Sequence, residues 1–285
     1  MPHRWRSYDR ASLDLQYSPS RIAKDFQGDL DRYAAQTTEA RNKGRYQQHA
    51  YGPAPRQLLD IYLPEPPQSA PAPIHVFIHG GFWQALNKDY AGFAAPAFTG
   101  RGVIFIALNY TLAPEASLAA IIGEIRQAMD WVIDHAASFN RDAGRIVVSG
   151  HSAGGYLAAS LIAGALAEQR GPAAIAGLLP ISGVYDLPPI AACYVNDALA
   201  LDATEAARLD LLTAKPLLDI PVHIAVGQDE SAEFRRHSQA LQAAWAPSLK
   251  HCSFDLRPGR DHFDILFELS TPGAPLHTAA MALIP

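Results

Sequence analysis

Cysteine is nearly absent from this 285-residue sequence. Cys193 and Cys252 are its only two, which excludes a disulfide framework and any cysteine-rich metal site. No block of Lys and Arg is present either, and the formal net charge is −5, so a nucleic-acid partner has little electrostatic support. No apolar run reaches membrane-spanning length. The start, Met1 to Arg10, is polar and arginine-bearing and lacks the apolar stretch of a signal peptide, so a cytoplasmic protein without a membrane partner is expected. Repeats, low-complexity tracts and an internal linker are missing as well, and a single domain over 1–285 is expected. What is present is a 49% hydrophobic chain of modest charge, the composition of a globular protein with a large core. A homo-oligomer is compatible with it.

Residues 1 to about 45, rich in Arg, Asp, Gln, Tyr and Ala, read as a helical N-terminal extension with a helix start at Ser18-Pro19-Ser20. Tyr46 to Tyr51 and Leu58 to Leu63 then read as short strands about the turn Gly52-Pro53-Ala54-Pro55, and Pro64 to Pro73 as a loop. Further apolar runs of strand length are Ile74–Ile78, Val103–Leu108, Arg145–Ser149, Ile175–Ile181, Pro221–Val226 and His251–Leu256. Between them Ile121, Ile122, Ile125, Met129 and Val132 recur at helical spacing, as do Phe234, Ser238, Leu241 and Trp245. Alternation of this kind predicts an α/β fold with a doubly wound, mostly parallel sheet, whose ligands bind at the strand carboxyl ends. Residues 184–216 form the longest insertion and are expected to cap the pocket.

The pattern Gly150-His151-Ser152-Ala153-Gly154 follows the β-branched run Ile146-Val147-Val148 and precedes an uncharged stretch, Ala153 to Ala167, expected to be a buried helix. A serine on a tight strand-to-helix turn needs neighbours without Cβ atoms, which Gly150 and Gly154 supply, so Ser152 is the expected nucleophile. Its hydroxyl is a poor nucleophile at neutral pH and needs a base. Among eleven histidines, His262 lies in a loop after the last strand, where a nucleophile of this kind finds its base. The acid that orients the imidazole is expected after the strand ending at Val226, and Asp229 is the first choice, with Glu230 and Asp186 as alternatives that otherwise read as loop or capping residues. His79-Gly80-Gly81-Phe82-Trp83 ends an earlier strand and is expected to form an oxyanion loop, the donors being the N–H groups of Gly81, Phe82 and Ala153. His79 reads as a residue that holds this loop. Trp83, Tyr156 and Tyr185 are expected to line the substrate pocket, while Arg235 and Arg236 read as a solvated helix face that could meet a carboxylate. No metal or cofactor is expected.

These residues together resemble the arylformamidase (kynurenine formamidase) family of the α/β-hydrolase fold. The likeness is carried by His79-Gly80-Gly81-Phe82-Trp83-Gln84, Leu15-Gln16-Tyr17-Ser18-Pro19-Ser20, Ser182-Gly183-Val184-Tyr185-Asp186-Leu187, Glu233-Phe234-Arg235-Arg236 and His262-Phe263-Asp264-Ile265, so it spans most of the chain. The resemblance implies a metal-independent serine hydrolase with Ser152, Asp229 and His262 as its triad, releasing formate from a small aromatic amide of the N-formylkynurenine kind. The chain departs from the family at Tyr156, where a histidine is common. A carboxylesterase of small acyl esters, an amidase or carbon–carbon hydrolase of another aromatic catabolite, and a non-catalytic ligand receptor are the competing readings.

Overall fold

The computed structural model describes residues 4–65, 71–139, 141–164 and 174–284. Among the described residues a 3-10 turn (Arg4–Ser7) and three α-helices, α1 (Arg10–Gln16), α2 (Pro19–Ile22) and α3 (Phe26–Lys43), precede the first strand. Each starts where its sequence allows: Asp9 and Asp25 accept the N–H groups of Ser12 and Gly28, and Pro19 occupies the first turn of α2, where a missing N–H does no harm. The chain continues through β1 (Arg45–Ala50), β2 (Leu58–Leu63), β3 (Ala72–Ile78), α4 (Ala95–Thr99), β4 (Ile104–Leu108), α5 (Leu118–Asp134), β5 (Arg141–His151), α6 (Ala153–Ser160) and β6 (Ile175–Ile181). The insertion carries α7 (Leu187–Ala191), α8 (Asn196–Leu199) and α9 (Ala203–Arg208). It is followed by β7 (Val222–Gly227), α10 (Ala232–Trp245), β8 (Cys252–Arg257), α11 (Phe267–Ser270) and α12 (Pro275–Ala282).

The strands form one eight-stranded sheet in the order β1-β2-β4-β3-β5-β6-β7-β8. Only β1–β2 and β2–β4 pair antiparallel; the remaining pairs are parallel, as crossover helices require. This is the α/β-hydrolase architecture. Because side chains alternate along a strand, β3 sends Ile74, Val76 and Ile78 into one core and Phe77 into another, so both faces of the central strands are dry. The helix expected to run to Ala167 is shorter: α6 ends at Ser160, and the chain then turns to pair with the insertion, Leu217 N–H reaching Ile162 O at 2.8 Å and Gly164 N–H reaching Lys215 O at 2.8 Å. Residues 165–167 of that expectation and 66–70 of the proline-rich loop lie outside the described residues.

His75 shows how dry the second core is. It is fully buried on the Phe77 face of β3, its ring 4.3 Å from that of Phe98, with Nε2 2.6 Å from Ser149 Oγ on β5. Burial pushes its pKa from 6.5 down to about 3, because a charged imidazole there would lose its hydration. The unfolded chain therefore binds a proton below pH 6.5 that the native chain refuses, and stability attributable to this group is present above pH 6.5 and lost as pH falls toward 3. Urea unfolding should show His75→Gln less stable than the parent at pH 7.5, with the gap narrowing by about 2 kcal/mol at pH 5.

Candidate active site

At the end of β5 the backbone reverses through Ser152, whose φ of 56° and ψ of −120° lie outside the regions ordinary side chains favour. Strain of about 1–3 kcal/mol is typical of such a residue, and the surroundings must hold it. They do so by geometry: a Cβ on Gly150 would overlap the Gly154 carbonyl, and one on Gly154 the Ile78 carbonyl. Ser152 N–H is also tied to Ile181 O of β6 at 2.9 Å. The hydroxyl is thereby delivered to a cavity of about 250 Å³ that His262 also lines.

His262 sits in the loop after β8, 3% exposed, its ring 4.3 Å from that of Phe234 and 4.6 Å from that of His151. Its Nδ1 lies 2.6 Å from Oε2 of Glu230. A carboxylate can only accept, so Nδ1 is the donor of this bond, and in the neutral imidazole Nε2 is the ring nitrogen left with a lone pair. Glu230 is itself held from the other side, its Oε1 accepting from Ser182 Oγ at 2.6 Å and from Gly227 N–H at 2.7 Å. His151 donates from Nε2 to the His262 carbonyl at 2.7 Å, and burial beside that second imidazole keeps it neutral, its pKa well below 6.5.

The acid expected from sequence, Asp229, is elsewhere. Its side chain is 41% exposed and pairs with Lys24 Nζ at 2.9 Å. The reason is the turn after β7: Gly227 packs against the Arg260 carbonyl and Asp229 N–H bonds Arg260 O at 2.9 Å, so Asp229 points outward and the next residue points back under the sheet edge. Glu230, one methylene longer, spans the remaining gap to His262. Asp186 is likewise apart, bound to Arg236 at 2.7 Å.

After β3 the backbone takes positive φ at Gly81, Phe82 and Trp83 in succession. A Cβ on Gly81 would overlap the Ala85 carbonyl, so only glycine closes this loop. Among the described residues the N–H groups of Gly81, Phe82 and Ala153 meet no backbone or side-chain acceptor, and all three residues lie around Ser152. His79 beneath them is stacked on Tyr110 at 4.3 Å, and burial lowers its pKa to about 4. Tyr110 Oη donates to the His79 carbonyl at 3.0 Å.

Three residues expected in the pocket are not there. Trp83, Tyr156 and Tyr185 are completely buried in the core beneath the site. The consecutive positive φ angles turn the Trp83 indole inward, edge-on to the Tyr156 ring at 5.3 Å, and Tyr156 Oη donates to Leu209 O at 2.8 Å. Tyr185 lies against Gly183, its N–H bonded to His237 Nδ1 at 3.0 Å. The walls come instead from the N-terminal segment, with Pro19, Phe26, Leu30 and Tyr33, and from Tyr194 of the insertion. Phe26, Leu30 and Tyr33 are spaced i, i+4, i+7 on α3, a helical face that was readable in the sequence. The segment is anchored on the base loop: Asp261 Oδ2 accepts Lys24 N–H at 2.9 Å, its Oδ1 accepts Phe263 N–H at 2.9 Å, and the Tyr33 hydroxyl donates to the Phe263 carbonyl. A larger hollow of about 510 Å³, beside α3, β2 and α4, has no histidine among the described residues that line it. Glu230→Gln should lower kcat/KM for ester or amide hydrolysis by about 10²–10⁴-fold through loss of imidazole orientation, whereas Asp229→Asn should stay within about threefold. Steady-state rates on variants with parental circular dichroism check both.

A family model described as BD-FAE matches residues 59–174. Kynurenine formamidase from Danio rerio is 31% identical over 279 residues, covering 93% of this chain and 93% of its own length. Among solved structures, a Silicibacter sp. TM1040 protein provisionally assigned as a thioesterase superposes with a TM-score of 0.83 at 27% identity, over 94% of this chain and 98% of its own. Esterase B from Lactobacillus rhamnosis has a TM-score of 0.69 at 20% identity, over 96% and 94%, a likeness of fold. With the likeness to the zebrafish enzyme running nearly end to end, the chain belongs to the kynurenine formamidase family and is a hydrolase of the α/β-hydrolase fold.

Proposed function

We propose that this chain removes a small acyl group, formyl in the first instance, from an aromatic amide of the N-formylkynurenine kind, through an acyl-enzyme on Ser152. The observation that carries the reading is the hydrogen bond from His262 Nδ1 to buried Glu230 beside a strained serine in one cavity. Glu230 fixes the tautomer that leaves Nε2 able to take the Ser152 proton as Oγ attacks the acyl carbon. The developing oxyanion is met by the N–H groups of Gly81, Phe82 and Ala153, each worth roughly 3–4 kcal/mol of barrier where such donors have been removed. Protonated His262 then gives its proton to the departing nitrogen, and the imidazolium is stabilised by the carboxylate beside it. Water enters, His262 takes its proton, and the acid is released to regenerate Ser152.

An anilide nitrogen shares its lone pair with the ring and leaves more readily than an alkylamine, so one site serves aryl amides and small esters. The mostly apolar cavity supports the ester as the second substrate class. Comparing kcat/KM on N-formylkynurenine with that on p-nitrophenyl acetate separates the readings: a formamidase prefers the former, a carboxylesterase the latter. Ser152→Ala should reduce either activity by at least about 10⁴-fold and abolish labelling by a fluorophosphonate probe. Substantial residual turnover would remove the serine from the mechanism.

A further inference from the structure

We propose that Tyr17 is a positioning residue for substrate binding: its buried hydroxyl, locked onto α10, sets where Pro19, Ser20 and Tyr194 stand in the cavity. The inference rests on the serine-hydrolase reading above and holds for an aryl amide or an aryl ester.

Tyr17 lies between α1 and α2, completely buried, and does not itself line the cavity. Its partners are the equally buried His237 and Glu233 of α10. The direction of each bond is forced. The Tyr185 N–H, in the loop after β6, can only donate, so His237 Nδ1 accepts it at 3.0 Å. Burial keeps this ring neutral, its pKa well below 6.5, so the ring proton stands on Nε2. Nε2 lies 2.8 Å from Tyr17 Oη, which accepts that N–H and aims its own proton at Glu233 Oε2, 3.0 Å away. Arg236 Nη2 meets the same oxygen at 2.6 Å, and Glu233 Oε1 has no donor among the described residues. Tyr17 can therefore turn away only by leaving a buried N–H without an acceptor and a buried carboxylate short of a donor.

Two sides of the cavity hang on this residue. Pro19 and Ser20 follow it directly in the chain after Ser18, and both line the cavity. Tyr194 of the insertion lines it too, and its hydroxyl donates to the Tyr17 carbonyl at 3.0 Å. Ser18 Oγ donates to the Asp14 carbonyl at 2.6 Å, while the Asp14 carboxylate accepts Tyr194 N–H at 2.8 Å, so the three wall residues are tied to one another through α1. The His262 imidazole, by contrast, is held by Glu230, itself fixed by Ser182 and Gly227, and none of these bonds involves Tyr17. Loss of the Tyr17 hydroxyl should weaken ground state and transition state alike, which raises KM and spares kcat.

Tyr17→Phe keeps the ring and removes the hydroxyl. With active enzyme counted by fluorophosphonate titration of Ser152, KM for N-formylkynurenine should rise at least about fivefold while kcat per active site stays within about threefold. Misfolded chains lower the titre and move neither constant, so a loss of stability is read separately. A smaller rise in KM, or a larger loss of kcat, overturns the proposal. His237 tests the same bond from its other end, should Tyr17→Phe not fold. His237→Asn keeps an acceptor near the Nδ1 position and loses the donor to Tyr17, and it should raise KM as Tyr17→Phe does. His237→Gln keeps a donor near the Nε2 position and should restore KM to within about twofold of the parent; equal KM values for the two His237 variants overturn the proposal. If the parent hydrolyses p-nitrophenyl acetate but not N-formylkynurenine, the aryl-amide reading fails, and KM for the ester decides the role of Tyr17 by the same limits.

Discussion

The ends of three strands converge on one carboxylate. Glu230 takes a proton donor from Ser182 after β6, another from Gly227 at the end of β7, and the imidazole of His262 from the loop after β8. Each of these donors is buried, so each would be left unpaired if the carboxylate were lost or moved, and the low dielectric strengthens the bonds that remain. The register of the parallel strands is what makes the convergence possible. Strand pairing sets β6, β7 and β8 side by side with their carboxyl ends at one edge, and the loops leaving that edge have little distance to cover. Ser182 even adopts a positive φ to present its hydroxyl, a strain held by its N–H bond to Ala225 O at 2.7 Å.

Around this centre the chain divides its labour. The strand ends present Ser152, Glu230 and His262, and segments remote in sequence supply much of the wall around Ser152 and His262. The N-terminal helices are held on the base loop through Asp261, which accepts N–H groups from Lys24, Phe263 and Asp264. The insertion is held on the same helices, Tyr194 N–H reaching Asp14 at 2.8 Å and its hydroxyl the Tyr17 carbonyl at 3.0 Å. Gln84 of the loop after β3 closes the ring by donating to Val195 O at 2.6 Å. The cavity is therefore bounded both by the loops at the strand ends and by segments far from them in sequence.

Much of this was legible beforehand because the signals were local. Apolar runs bounded by turn residues marked the strands to within a few residues, and the glycines about Ser152 and at Gly80-Gly81 marked the two turns where backbone must approach backbone. The pocket was less legible for two reasons. Trp83, Tyr156 and Tyr185 are flanked by such turns, and aromatic residues there suit a ligand as well as a core; only their complete burial in the folded chain shows that the side chains point inward. The true walls lie on α3, whose apolar face looks weak within a polar helix, and their neighbours are more than two hundred residues away, as Tyr33 and Phe263 are.

The choice between Asp229 and Glu230 draws the boundary most clearly. Sequence alone determined that an acid follows β7, that a histidine follows β8, and that a serine stands on a tight turn between β5 and α6, because strand order and turn chemistry are written in neighbouring residues. Which of two adjacent carboxylates meets the histidine depends on the direction each side chain takes from a turn pinned by Arg260, thirty-odd positions later. That contact exists only once β7 and β8 have paired. Tertiary structure decided it, as it decided that Phe26, Leu30 and Tyr33 of α3 stand at the cavity, because side-chain direction is set by what packs on the backbone and not by the order of residues along it.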